Sequence, residues 1–169
     1  IDRLRDAKKW RNIAKRELFD IVNPESTMAF LNTYASAVTA VIHMGAISST
    51  TEPDADLIIE NNFRFTSRLW KWCASNRVKF IYASSAATYG NGSAGFNDDG
   101  DGAALADLYP MNAYGWSKHL FDRRVAAMIA EGDRLPPQWA GLKFFNVYGP
   151  NEYHKGSQKS VVAQIYSHA

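Results

Sequence analysis

Tyr114 and Lys118 stand four residues apart in Tyr-Gly-Trp-Ser-Lys. On a helix that spacing puts a phenol and an ammonium on one face. A nearby cation stabilises the phenolate over the phenol, which suits a tyrosine to take up or return a proton during a reaction. The same spacing also serves ordinary surface pairs, so context has to decide. Ser84-Ser85 closes the apolar run that starts at Val78, and a hydroxyl there could bond both a substrate oxygen and the tyrosine.

Holding such groups together requires a scaffold, and apolar β-branched runs alternate with helical patterns along the chain. Val38–His43, Val78–Ser84 and Gly141–Asn146 read as buried strands. Between them, Asp56–Ser75 reads as a helix with Leu57, Ile58, Phe65, Leu69 and Trp72 on or near one face, and Asn112–Ala130 as a second. Ser157–His168 could form another. This alternation argues for an α/β fold with a parallel sheet covered on both faces. Ligands of such sheets sit beyond the carboxyl ends of the strands. Here those ends are polar: His43-Met44-Gly45-Ala46-Ile47-Ser48, Ser84 to Gly90, and Asn146-Val147-Tyr148-Gly149-Pro150. Gly45 has its own rationale, because a residue without Cβ lets a ligand approach the backbone.

Composition bounds the rest. The 169 residues are 46% hydrophobic and 21% charged with a net charge of +2, which suits a globular chain with a core and gives no reason to expect nucleic acid as a partner. No apolar run approaches the roughly 20 residues that span a bilayer, so no membrane helix is expected. The single cysteine, Cys73, excludes an internal disulfide framework and fits a reducing compartment. His43, His119, His154 and His168 show no zinc spacing, and the Asp98-Asp99-Gly-Asp101 run lacks the glutamate of a calcium loop. No metal is expected. Trp70 and Trp72 read as packing in an amphipathic helix rather than a platform for bases.

Three segments taken together carry a resemblance: Ser84 to Gly90 (Ser-Ser-Ala-Ala-Thr-Tyr-Gly), Tyr114-x-x-x-Lys118, and Phe145-Asn-Val-Tyr-Gly-Pro150. Their order and spacing resemble the extended short-chain dehydrogenase/reductase superfamily of nucleotide-sugar enzymes. Gly45-Ala-x-Ser-Ser-Thr-Thr-Glu52, Asn61-Asn62 and His154-Lys-Gly-Ser157 narrow it to similarity with the ADP-L-glycero-D-manno-heptose 6-epimerase family. The resemblance implies a Rossmann-type doubly wound sheet and a catalytic set of Ser85, Tyr114 and Lys118, with Lys155 as a second acid/base on the other side of the sugar carbon. It further implies NADP, with NAD as the other possibility. Cofactor contacts would come from Met44, Gly45, Ala46, Ile47, Ser48, Asn61, Lys118, Val147 and Lys155, and substrate contacts from Ser85, Asn146, Ser157 and Gln164. An acid at the end of the second strand of such a fold binds the adenosine ribose, and a nearby base accommodates a 2′-phosphate; Asp2 fits the first role, Arg3 and Lys9 the second.

The implied reaction inverts C6″ of an ADP-heptose used for lipopolysaccharide core. The implied enzyme is cytoplasmic, self-associating and acts on a nucleotide sugar. Met44, Lys143, Gln158 and Gln164 depart from the family pattern, where an acid, an arginine, a methionine and a histidine are expected, and they bear on the substrate more than on the chemistry. Ala86-Ala87 stand where dehydratases of the superfamily carry Asp-Glu, which disfavours water loss. A 4-epimerase on the same fold and a catalytically silent dinucleotide- or sugar-binding module are the competing readings. No glycine precedes Gly45, so the Gly-rich first βα unit of the family is expected to be missing, along with most of a C-terminal substrate lobe. Residues 1–150 would then be the dinucleotide-binding part and 151–169 the start of the substrate region, and these residues alone should bind cofactor poorly.

Overall fold

A computed structural model describes residues 1–4, 8–152 and 154–166, without the Ser157 side chain. The chain divides into two compact units, Ala35–Phe145 and a second one made of Ile1–Tyr34 with Asn146–Ala169.

The larger unit holds three strands, β1 (Ala40–His43), β2 (Lys79–Ser85) and β3 (Trp139–Phe144), in the order β1-β2-β3. Both pairs are parallel, with His43 beside Tyr82 and Tyr82 beside Gly141. Helices connect them, as parallel neighbours require: α2 (Ala55–Ile58) continues through a π-helical segment (Ile59–Arg64) into α3 (Phe65–Asn76), and α4 (Gly102–Ala106) precedes α5 (Ala113–Ala130). Their starts are set by side chains accepting from the first turn: Asp54 from Leu57 N, Asp101 from Ala104 N and Asn112 from Gly115 N. Asp101 is thus a helix cap. Arg77, in the left-handed conformation at φ 59°, ends α3.

Side chains alternate across the sheet. Phe80 and Tyr82 point to one face and meet Trp70 of α3 and Phe121 of α5 through edge-on ring contacts. Trp70 and Trp72 are buried packing residues, as is Cys73, whose thiol burial pushes up to about 12. On the opposite face, Ile42 of β1 is 65% exposed, and Leu142 and Phe144 of β3 are exposed too. Two right-handed crossovers stepping the same way across a sheet lay both helices on the same side.

The helix expected over Asp56–Ser75 is not regular. Its π segment inserts an extra residue into a turn and shifts the buried face by about 100°. Just before it, Ile58 is fully buried while Leu57, expected on or near the same face, is 43% exposed, since neighbouring helical residues point about 100° apart.

The smaller unit carries α1 (Thr27–Thr33) and α6 (Val161–Tyr166), with short 3₁₀ turns at Lys8–Asn12, Pro24–Ser26 and Gly156–Gln158. The helix expected over Ser157–His168 is thus split in two, and Ser167 and His168 lie outside the described residues. Among the described residues no helix is long and apolar enough to cross a membrane, and no group of three His, Cys, Asp or Glu is placed to hold a metal.

Candidate functional site

In the larger unit, Ser85 ends β2, and Tyr114 and Lys118 lie in the first two turns of α5, which packs on the turn that follows β2. Strand alternation separates the two serines that the sequence offered. Ser84 turns toward the helices and donates to Asp122 Oδ2 at 2.6 Å, whereas Ser85 caps the following 3₁₀ turn, accepting from Ala87 N at 3.1 Å. The first turn of α5 packs directly on that turn. A Cβ added at Gly115 would lie 2.7 Å from Ala87 O and 3.2 Å from its carbonyl carbon. Gly115 thus lets the Tyr114 turn approach the end of β2 closely. One turn further in, Lys118 is only 4% exposed. Burial pulls its ammonium down to about 8, against the opposing pull of Asp122. Among the described residues no salt bridge closes on it.

Met44, Gly45, Ala46 and Ser48 are exposed just past β1, and Ile47 is half-buried. The turn they form is tied down by Asn62. Its amide oxygen accepts from Ile47 N (2.8 Å) and its amide nitrogen donates to Ile47 O and Ser117 Oγ (3.0 Å each). Ser117 in turn donates to the Tyr114 carbonyl at 2.7 Å. One buried amide in the π segment therefore links the strand-end turn to the Tyr114 helix. Asn61, the neighbour singled out from sequence, donates its amide to Leu57 O at 2.8 Å on the helix surface. Asn62 was legible only as the second of a pair.

His43, at the end of β1, shares a hydrogen bond with Thr66 Oγ1 at 3.0 Å. Burial, with the Lys118 charge second, lowers its imidazole to about 4. A histidine so depressed in the fold binds its proton only below pH 4, while the unfolded chain binds one from about 6.5. Its contribution to stability is therefore present above pH 6.5 and lost as the pH falls toward 4, by about 3 kcal/mol. Urea unfolding of a His43→Gln variant across that range should show a correspondingly flatter acid slope than wild type; equal slopes would contradict it. Lys143, in the family's arginine position, lies 4.3 Å over the Tyr89 ring.

The smaller unit gathers a different group. Lys9 pairs with Asp2 at 2.6 Å and Arg3 pairs with Glu25. Asn146 and Val147 are exposed. Gln164 is exposed and donates to Lys159 O at 2.8 Å. The Ser157 side chain lies outside the described ones. Lys155 Nζ sits 3.4 Å from Glu152, a carboxylate that sequence reasoning passed over. Glu152 organises its loop by accepting from Ser160 N and Oγ (2.8 Å each) and from Gly149 N (3.1 Å). The Ser160 bonds, with Gly149 and Lys155 adding to them, hold its carboxyl at about 2. The signal was its place three residues before Lys155.

Similarity to known proteins runs the length of the chain. It is 48% identical over 169 residues to a Fusobacterium nucleatum protein and 34% identical over 170 to one from Brachyspira hyodysenteriae, both named ADP-L-glycero-D-manno-heptose-6-epimerase. Each alignment takes in 99% of this chain and 50% or 52% of the relative, so the chain spans about half the length of the curated relatives it matches. The Helicobacter pylori ADP-L-glycero-D-manno-heptose-6-epimerase crystal structure superposes with a TM-score of 0.70 at 27% identity, over 90% of this chain and 46% of that one. The profile of the NAD dependent epimerase/dehydratase family matches residues 1–169, and on that match and these relatives the chain belongs to that family.

Proposed function

We propose that the protein is a nucleotide-sugar epimerase that inverts C6″ of ADP-glycero-manno-heptose by transient oxidation and re-reduction with bound NADP, supplying a lipopolysaccharide core precursor. The observation that carries this reading is the close seat of the Tyr114 turn on Ala87, with Lys118 buried one turn behind it. The relatives' shared name supports the choice of sugar. The enzyme is cytoplasmic and homo-oligomeric on this reading. Residues 1–150 form the dinucleotide-binding part and 151–169 open the substrate region.

A nicotinamide dinucleotide, when bound, supplies the acceptor and donor for the hydride. The chain's residues fit such a group: the strand-end turn Met44–Ser48 is exposed yet fixed through Asn62, and the Lys118 ammonium is without a salt bridge among the described residues. Met44, Gly45, Ala46, Ile47, Ser48, Asn61, Val147, Lys118 and Lys155 would hold it, with Asp2 at the ribose. Arg3 and Lys9 would meet a 2′-phosphate by exchanging Glu25 and Asp2 for it. NAD remains the alternative, and the family's description names it.

Tyr114 Oη takes the proton of one epimer's hydroxyl as its carbon is oxidised, and Lys155 Nζ gives one to the other epimer's oxygen on re-reduction, both regaining their starting protonation by exchange with solvent before the next turnover. Ser85 Oγ hydrogen-bonds the same oxygen, and the Lys118 ammonium stabilises the phenolate. Inversion presents the hydroxyl on the opposite side of the carbon, where Lys155 Nζ is the second acid/base. Asn146, Ser157 and Gln164 hold the nucleotide sugar. NMR of the full-length protein incubated with ADP-D-glycero-D-manno-heptose should show inversion at C6″, and Lys155→Met should lower its rate by about 10²-fold or more. Inversion at the wild-type rate in that variant would remove Lys155 from the mechanism. No inversion by a protein that binds cofactor would remove the heptose.

A further inference from the structure

Beneath the helix-facing side of the sheet lies a polar cluster of which the proposed proton chemistry uses only Lys118. Asp122 follows Lys118 by one turn of α5 and is 7% exposed. Its two oxygens are separately engaged: Oδ1 accepts from the Tyr82 hydroxyl at 2.9 Å and Oδ2 from Ser84 at 2.6 Å. Both donors come from alternate residues of β2, so the strand itself aims the carboxylate. Space for the Tyr82 ring depends on its neighbour in register, Gly141, where an added Cβ would lie 2.4 Å from the ring and its hydroxyl.

Fixing a helix to a sheet does not require a charge here. A buried ionic group is commonly matched or outdone in stability by apolar residues of similar size, and the surroundings, Trp70, Phe80 and Phe121, are already apolar. We propose that Asp122 is a positioning residue for the reaction. Held by Tyr82 and Ser84, it supplies the counter-charge that keeps the Lys118 ammonium protonated one turn from Tyr114, without itself touching substrate or cofactor. The proposal rests on the epimerase reading for what Lys118 is used for, and not for the Asp122–Lys118 coupling.

The other titratable groups around the pair work with or against it. Burial drives Lys118 toward its neutral form, and Asp122 is the group that opposes this. His43, from β1, lies within the field of Lys118 and is kept neutral by its own burial. From β3, Lys143 shares the field of Asp122, and it also feels Asp98. Tyr82, bonded to Asp122, and Tyr89, which feels Asp98 first and Asp122 after it, are held in their phenol forms, chiefly by burial. Asp122 itself is raised by burial, against the pull of Ser84, Tyr82 and both lysines.

The test is the titration of Lys118 in the full-length protein, followed by NMR of lysine labelled at Cε, with the signal assigned by its loss in Lys118→Met. Wild-type Lys118 should titrate near pH 8, and Asp122→Asn should lower that by about one pH unit or more. The alkaline limb of the kcat profile should move down with it, KM for the nucleotide sugar should stay within about two-fold, and Asp122→Glu should recover part of both. A folded Asp122→Asn protein whose Lys118 titrates as in wild type overturns the proposal, whatever its melting temperature. If that variant does not fold, Ser84→Ala decides. It strips one donor from the carboxylate, which then holds its proton more readily, so Lys118 should move the same way by less; an unmoved titration there also overturns it. The titration needs no turnover. A shifted Lys118 in a protein that fails to invert C6″ would therefore reject the epimerase reading and uphold the coupling.

Discussion

Replacing Tyr114 with Phe in the full-length protein should lower turnover by about 10²–10⁴-fold, the usual worth of a positioned general acid/base, with little change in melting temperature. The substitution removes one oxygen from a half-buried ring and leaves the α5 packing on Ala87 untouched. Lys118→Met should give a comparable loss for a different reason. It keeps most of the buried side-chain volume but removes the ammonium that favours the phenolate. The two losses should not add in the double variant, because both act on one proton transfer. Steady-state rates with thermal melts of the three variants check this. Wild-type turnover by Tyr114→Phe would end the tyrosine mechanism, and fully additive losses would separate the two residues.

The second large effect belongs to a residue with no functional group. In an ordinary helix interior, Gly→Ala stabilises by about 1 kcal/mol. At position 115 the new Cβ would lie 2.7 Å from Ala87 O, with the Ala87 carbonyl carbon and Cβ both at 3.2 Å. Those are backbone and short side-chain atoms that cannot swing aside, so α5 must move away from the turn that Ser85 caps. Gly115→Ala should therefore cost on the order of 1–3 kcal/mol net. A displacement of about 1 Å at Tyr114 should cost roughly 10²-fold in turnover. Urea unfolding and kcat measured on one preparation test both parts. A variant that is both more stable and fully active would show that the approach of α5 to Ala87 is not needed.

How far the sequence could carry this structure is clearest at particular residues. The strands and both long helices followed from hydrophobic period and β-branched runs, and their ends moved by no more than two residues. Tyr114 and Lys118 were legible because helical spacing alone places them on one face. Strand pattern alone could not tell Ser85 from Ser84, since a shift of one residue exchanges their faces; the family resemblance chose Ser85. The π segment was not legible. It obeys no apolar period. With it went the importance of Asn62, whose partners Ile47 and Ser117 lie 15 and 55 residues away. Asp122 was open to view as the next residue along the Tyr114–Lys118 face, but a charge on a helix reads as solvated until a strand is seen to donate two hydroxyls to it.

Cys73 gives the molecule a built-in gauge of its own opening. The thiol is fully buried in the layer between sheet and helix and is held in its unreactive protonated form far above neutral pH. It is also the chain's single sulfhydryl. A thiol reagent can consequently find it only in molecules whose α3 has lifted from β2, and its rate of attachment counts how often that happens. A stabilising substitution would register as a slower clock.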